Sequence, residues 1–117
     1  MIKVTDYMEW FNIEKSKHTT KNYVVWKDTV NTVNEEYEMY SYRTLVIKGT
    51  LDSLEITGLY STTTRRHIRW FVEEHRCEKR IPFSFIKAVA ENKDYRLDVL
   101  NSLVWNRKTG KIIMYMP

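Results

Sequence analysis

The chain has 117 residues, of which 43% are hydrophobic and 29% charged, with a formal net charge of +4; this balance excludes a disordered segment and predicts one domain, residues 1–117, around a single core. Its lone cysteine, Cys77, excludes an intramolecular disulfide, no apolar run approaches the ~18 residues of a membrane span, and the N-terminus lacks the basic-then-apolar order of a secretory signal. The expectation is a soluble cytoplasmic protein with no membrane partner, whose excess of cations favours an acidic partner without identifying it.

In chain order, Thr5-Asp6 followed by Tyr7, Met8, Trp10, Phe11 and Ile13 predicts a capped helix ending near Ser16. Residues 16–22 are a polar loop. Tyr23 to Trp26 is a β-branched and aromatic strand candidate, although Val30 and Val33 also suit a helix running on from Thr20. Tyr40 to Lys48 is rich in strand formers, Gly49 to Ser53 is turn chemistry, and Leu54 to Leu59 alternates apolar with polar residues, which together predict a β-hairpin.

Ser61, or one of Thr62 to Thr64, then caps a helix whose apolar stripe is Ile68, Phe71, Val72 and His75, leaving Arg65, Arg66 and Arg69 off the stripe and facing solvent. Pro82 opens a further helix through Phe85, Ile86, Val89 and Ala90, ending near Lys93-Asp94. Tyr95 to Leu100 fits no pattern cleanly. Leu103 to Trp105 and Lys111 to Tyr115, joined by Asn106 to Gly110, predict a second hairpin. The sum is an α+β domain in which two β-hairpins form an antiparallel sheet with about three helices packed on it.

Catalysis finds no support in these residues. His75 lies two positions before Cys77, and i and i+2 on a helix point apart, so they make no nucleophile–base pair. His18, His67, His75 and Cys77 match no zinc spacing, and the chain has neither a phosphate-binding loop nor a GxSxG elbow. The expectation is a non-enzyme without metal or cofactor.

The candidate site is the run from Tyr60 to Phe71, where helix-starting hydroxyls are followed by Arg65, Arg66, His67 and Arg69 with no acid among them. A helix N-terminus carries about half a positive charge, so cations there are unfavourable unless an anion binds. Thr63, Thr64, Arg65, Arg66, His67, Arg69 and Trp70 therefore form a candidate partner- or anion-binding site. The alternative is internal pairing, with Arg69 to Glu73, Arg66 over Trp70, and Arg65 to an acid such as Glu55. A second candidate, Tyr40, Tyr42 and Arg43, interleaves aromatics with a cation as single-strand-binding sheets do; such tyrosines also serve as cross-strand pairs completing a core.

Tyr40-Ser41-Tyr42-Arg43-Thr44-Leu45-Val46 and Tyr60-Ser61-Thr62-Thr63-Thr64-Arg65-Arg66-His67-Ile68 resemble the paired YSYxTLxA and YSxTTxRH segments of small uncharacterised proteins from phages and mobile elements of low-GC Gram-positive bacteria. The resemblance covers residues 39 to 75 and departs at Val46-Ile47, where the pattern has a small residue. It implies a phage context and, with it, a host or defence-system protein or ribonucleoprotein as partner. The leading expectation is a phage-type inhibitor, for example an anti-CRISPR, that occupies a binding surface with arginines and aromatics, the residue types that dominate interface hot spots. Direct binding of single- or double-stranded nucleic acid through Arg65 to Arg69 is the second reading, and a structural or assembly accessory role the third. The sequence leaves the oligomeric state open.

Overall fold

The computed structural model describes residues 2–3, 22–27, 35–75 and 80–116. Its strands are β1 (Ile2–Lys3), β2 (Tyr23–Lys27), β3 (Glu36–Ser41), β4 (Thr44–Thr50), β5 (Ser53–Ile56), β6 (Tyr95–Asp98), β7 (Leu103–Asn106) and β8 (Ile112–Tyr115), and its helices are α1 (Thr62–His75) and α2 (Phe83–Glu91). The strands form one eight-stranded sheet in which spatial order equals chain order and every pairing is antiparallel.

This corrects the expected two hairpins with about three helices. Among the described residues there are two helices, both inserted between β5 and β6, and the strands make one continuous meander, a mostly-β fold. The expected helix over Thr5 to Ser16 lies outside the described residues. Two local features account for the rest of the difference. Tyr40 to Lys48, expected as one strand, is broken by a two-residue turn at Tyr42–Arg43, with Ser41 paired to Thr44 across it. Both turn residues have positive φ, 51° and 69°, the geometry of a turn that usually uses Asn-Gly, so residue type gave no warning of it. Tyr95 to Asp98, which fitted no pattern, is β6 and joins the two halves through the single pair Leu54↔Leu97.

One face of the sheet carries the core. Alternation puts Tyr23 and Val25, Tyr37 and Met39, and Leu54 and Ile56 on that face, where they meet Ile68, Phe71 and Val72 of α1 and Phe85, Ile86 and Val89 of α2. Val46 and Ile47 are adjacent yet both fully buried. The register shift that pairs Met39 with Ile47 and Tyr40 with Leu45 leaves Val46 as the extra residue of a bulge, which lets two consecutive side chains turn inward. The carbonyl of Val46 accepts instead from the N–H of Thr57 at 2.8 Å. The opposite face carries Val24, Trp26, Glu38, Tyr40, Lys48 and Glu55. Pro82 stands as the N-cap of α2, as expected, and α2 stops at Glu91, short of Lys93-Asp94.

Candidate functional site: a buried hydroxyl–histidine chain beneath a basic, tyrosine-bearing surface

The two motif segments, twenty residues apart in sequence, meet in space. Ser61 caps α1, its Oγ accepting from the N–H of Thr64 at 3.1 Å, and donates to Thr64 Oγ1 at 3.2 Å. Thr64 Oγ1 lies 3.0 Å from Ser41 Oγ, and Ser41 Oγ lies 2.7 Å from His67 Nδ1. Ser41, Thr64 and His67 are all buried.

The direction of this chain is set by the charge and the tautomer of its last member. Burial, reinforced by the neighbouring Arg66 guanidinium, holds the His67 pKa below its ordinary value, so the ring is neutral near pH 7. With Ser61 donating to Thr64, the Nε2–H tautomer is the one in which Thr64 donates to Ser41 and Ser41 to Nδ1, so that every hydroxyl has one donated and at least one accepted bond. The geometry resembles a nucleophile–base pair, but Ser41 is only 1% exposed and leaves a substrate no approach. The chain instead ties the turn at the end of β3 to the first turns of α1.

Among the described residues, three aromatic rings close around His67. Tyr23, Tyr42 and Trp70 have ring centroids 5.4, 5.7 and 5.1 Å from it, and Tyr23 meets Trp70 edge-on at 5.5 Å. Tyr23 is buried and its hydroxyl has no hydrogen-bond partner among the described residues; burial, with Glu74 nearby, raises its pKa.

The sequence-predicted site residues divide accordingly. Thr64 and His67 are buried supports, Thr63 and Trp70 are half-buried, and only Arg65 and Arg66 are exposed on the helix. Arg69 is a correction to the expectation that it faces solvent: its guanidinium donates to the carbonyl of Ile81 at 2.5 Å and lies 3.8 Å from Glu73, which Arg80 also approaches at 3.3 Å. Of the expected internal pairs, Arg69–Glu73 is present, whereas Glu55 is engaged by Lys48 and Arg96 and not by Arg65. The side chains of Arg65 and Arg66 make no hydrogen bond or ion pair among the described residues, and the first turn of α1 contains no acid.

Tyr40, Tyr42 and Arg43 do not form one stacking platform. Tyr40 alternates onto the outer face of the sheet and donates to Glu38 Oε1 at 3.3 Å, while Tyr42, beyond the strand end, lies against His67 on the helix side. Sequence reasoning placed Tyr60 at the start of the candidate run but gave it no role. This residue also has positive φ, 53°, and is 58% exposed, comparable to Tyr42 at 53%. Its ring lies over Gly58, where an added Cβ would come within 3.2 Å of it. Its hydroxyl is 2.9 Å from Thr57 Oγ1, which in turn donates to the carbonyl of Leu45 at 2.9 Å. Both exposed tyrosines are thus fixed. The available signal was the tyrosine that begins each motif segment, but residue type alone does not reveal a left-handed backbone.

The neutral histidines predict a pH dependence. His75, like His67, has its pKa lowered, chiefly by burial, against the raising influence of the Phe71 carbonyl and Glu74. A histidine depressed in the fold binds its proton first in the unfolded chain, so it has no effect on stability above about pH 6.5 and destabilises the fold as pH falls below that. The urea midpoint is expected to be flat from pH 8 to 7 and to drop between pH 6.5 and 5, with a limiting slope of about 1.4 kcal/mol per pH unit for each histidine. Replacing His67 with Gln should flatten part of that drop, and an unchanged midpoint across the interval would refute the neutral assignment.

Residues 11–88 match the model of a family of unknown function, DUF8033. That stretch contains both motif segments, the hydroxyl–histidine chain and all of α1. No curated protein and no solved structure matches the chain.

Proposed function

We propose that this chain, which belongs to the DUF8033 family, is a non-catalytic binding protein that docks on an acidic surface of a partner through Tyr42, Tyr60, Arg65 and Arg66. The observation that carries this reading is the pair of exposed arginines near the start of α1, which have no counter-charge among the described residues. Cations there work against the helix dipole, at about 0.3–1 kcal/mol each near the first turn, unless an anion offsets it. Around them, two exposed tyrosines are locked by backbone and ring contacts, so little side-chain entropy remains to be lost on binding. The buried hydroxyl–histidine chain supports this surface by fixing turn and helix to each other.

The resemblance to phage and mobile-element proteins makes the partner a host or defence-system complex in the bacterial cytoplasm, such as a CRISPR effector, which the protein inhibits by covering a surface. Among the described residues no helix is long and apolar enough to cross a membrane. The reading is tested with a double variant, Arg65→Glu with Arg66→Glu. The dipole argument predicts unchanged or slightly raised thermal stability. Pull-down of a defined acidic protein from nuclease-treated bacterial lysate is expected with the wild type and lost with the variant. Equal recovery by both would remove this surface from the function.

A further inference from the structure

The outer face of the sheet, opposite the helices, holds a groove of about 270 Å³ lined by Asn22, Val24, Trp26, Tyr40 and Arg43. We infer that this groove binds a single unpaired nucleobase of a nucleic-acid strand, with the ring stacked on Trp26 and Tyr40, the base edge met by Asn22 and the adjoining phosphate held by Arg43.

Four observations converge on that occupant. The first is placement. Val24 pairs with Tyr40 across β2 and β3, so Trp26, two residues along the same face, is the diagonal neighbour of Tyr40, close enough for both rings to line one groove. The second is size, since about 270 Å³ falls just under the ~300–1,000 Å³ of sites that enclose drug-sized ligands, and suits one ring system.

The third is polarity. Asn22 and Arg43 have side chains without a hydrogen bond or ion pair among the described residues. An amide offers one donor group and one acceptor, which complements a base edge, whereas a carboxylate ligand would use only the donor. The guanidinium complements phosphate. Glu38 lies on the same face and accepts from the Tyr40 hydroxyl, and its cross-strand neighbour is Lys48. The fourth is backbone geometry. Arg43 and Tyr42 occupy left-handed conformations, at φ 69° and 51°, in a turn that Asn-Gly would form without strain. Such strain is most readily kept where the side chain is needed in place.

The groove faces away from α1, so this binding is separate from the acidic-surface docking proposed above and stands or falls independently of it. The test is fluorescence anisotropy with dye-labelled single strands of about eight nucleotides, a length within the site size of single-strand-binding modules, alongside the same sequence as a duplex. Single strands are expected to bind more tightly than the duplex, whose bases are already stacked. Tyr40→Ala should weaken binding roughly 5- to 150-fold, the range for loss of one stacked base.

Arg43→Gly is the sharper variant. Glycine relieves the left-handed strain, so melting temperature should hold or rise, while affinity falls and the slope of log K against log salt becomes shallower by about 0.7. Loss of affinity in both variants supports the inference. No detectable binding at low salt, equal affinity for duplex and single strand, or an affinity left unchanged by either variant would overturn it.

Discussion

Truncating Phe71 to alanine is expected to destabilise the protein by about 3–5 kcal/mol, read as a lowered midpoint in urea at unchanged m-value. Phe71 is fully buried at the centre of the helix–sheet interface. Its ring meets Tyr37 of β3 edge-on, with centroids 5.8 Å apart at 78°, and lies 4.3 Å from the ring of His75 one turn later on α1. Its removal loses apolar burial and leaves a cavity walled by two ring systems held from different elements, which cannot both close on it. For a domain of this size the loss is a large fraction of a typical folding free energy of about 5–15 kcal/mol. The damage would reach the proposed docking surface, because α1 carries Arg65 and Arg66. A variant that kept wild-type stability would show that α1 is not seated on β3 as described.

Gly49→Ala is expected to have an effect of similar size by a different route. Gly49 lies in β4 one residue before the strand end, between Tyr37 of β3 and Leu54 of β5. Its φ is +123°, outside the range that side-chain-bearing residues adopt, and a Cβ there would collide with the backbone carbonyl oxygen of Ser53. That carbonyl belongs to the first residue of the returning strand and cannot yield without opening the hairpin. Strained backbone costs about 1–3 kcal/mol and forced overpacking another ~1–3, so the sum is about 2–6 kcal/mol. Gly110 supplies the control. It too has positive φ, +73°, but nothing lies within 4 Å of its added Cβ, so Gly110→Ala should cost only the conformational part. Equal unfolding midpoints for the two variants would refute the steric argument.

What the sequence disclosed depended on whether a residue's type reports its conformation. The apolar stripe Ile68, Phe71, Val72 and the run Pro82 to Ala90 located both described helices, because burial repeats with the helical period and Ser and Pro mark the starts. The second hairpin was legible through Gly110 and the flanking aliphatics. The Tyr42–Arg43 turn was not, since neither residue is a turn former and the twist of the flanking strands imposes the conformation. Missing it merged β3 with β4 and hid the continuity of the sheet. In the candidate site the same limit operated in reverse. Charge pattern singled out the arginines as a group, but only tertiary contacts distinguish Arg69, bound to Ile81 and Glu73, from the exposed Arg65 and Arg66. The partnership of Ser41 with His67 has no sequence signature at all.

The single-pair join between β5 and β6 has a bearing on how the molecule comes together. Most other strand pairings close over short connections, but Leu54 and Leu97 must find each other across about forty residues that include both helices. Chain-closure entropy puts that step at a disadvantage of about 2 kcal/mol against a four-residue hairpin. Every described ring and hydroxyl around His67 comes from residues 23 to 70, so this part of the tyrosine-bearing surface is encoded before the last three strands emerge from a ribosome. Of those strands, β6 and β7 then pack against α2 and act as its clasp.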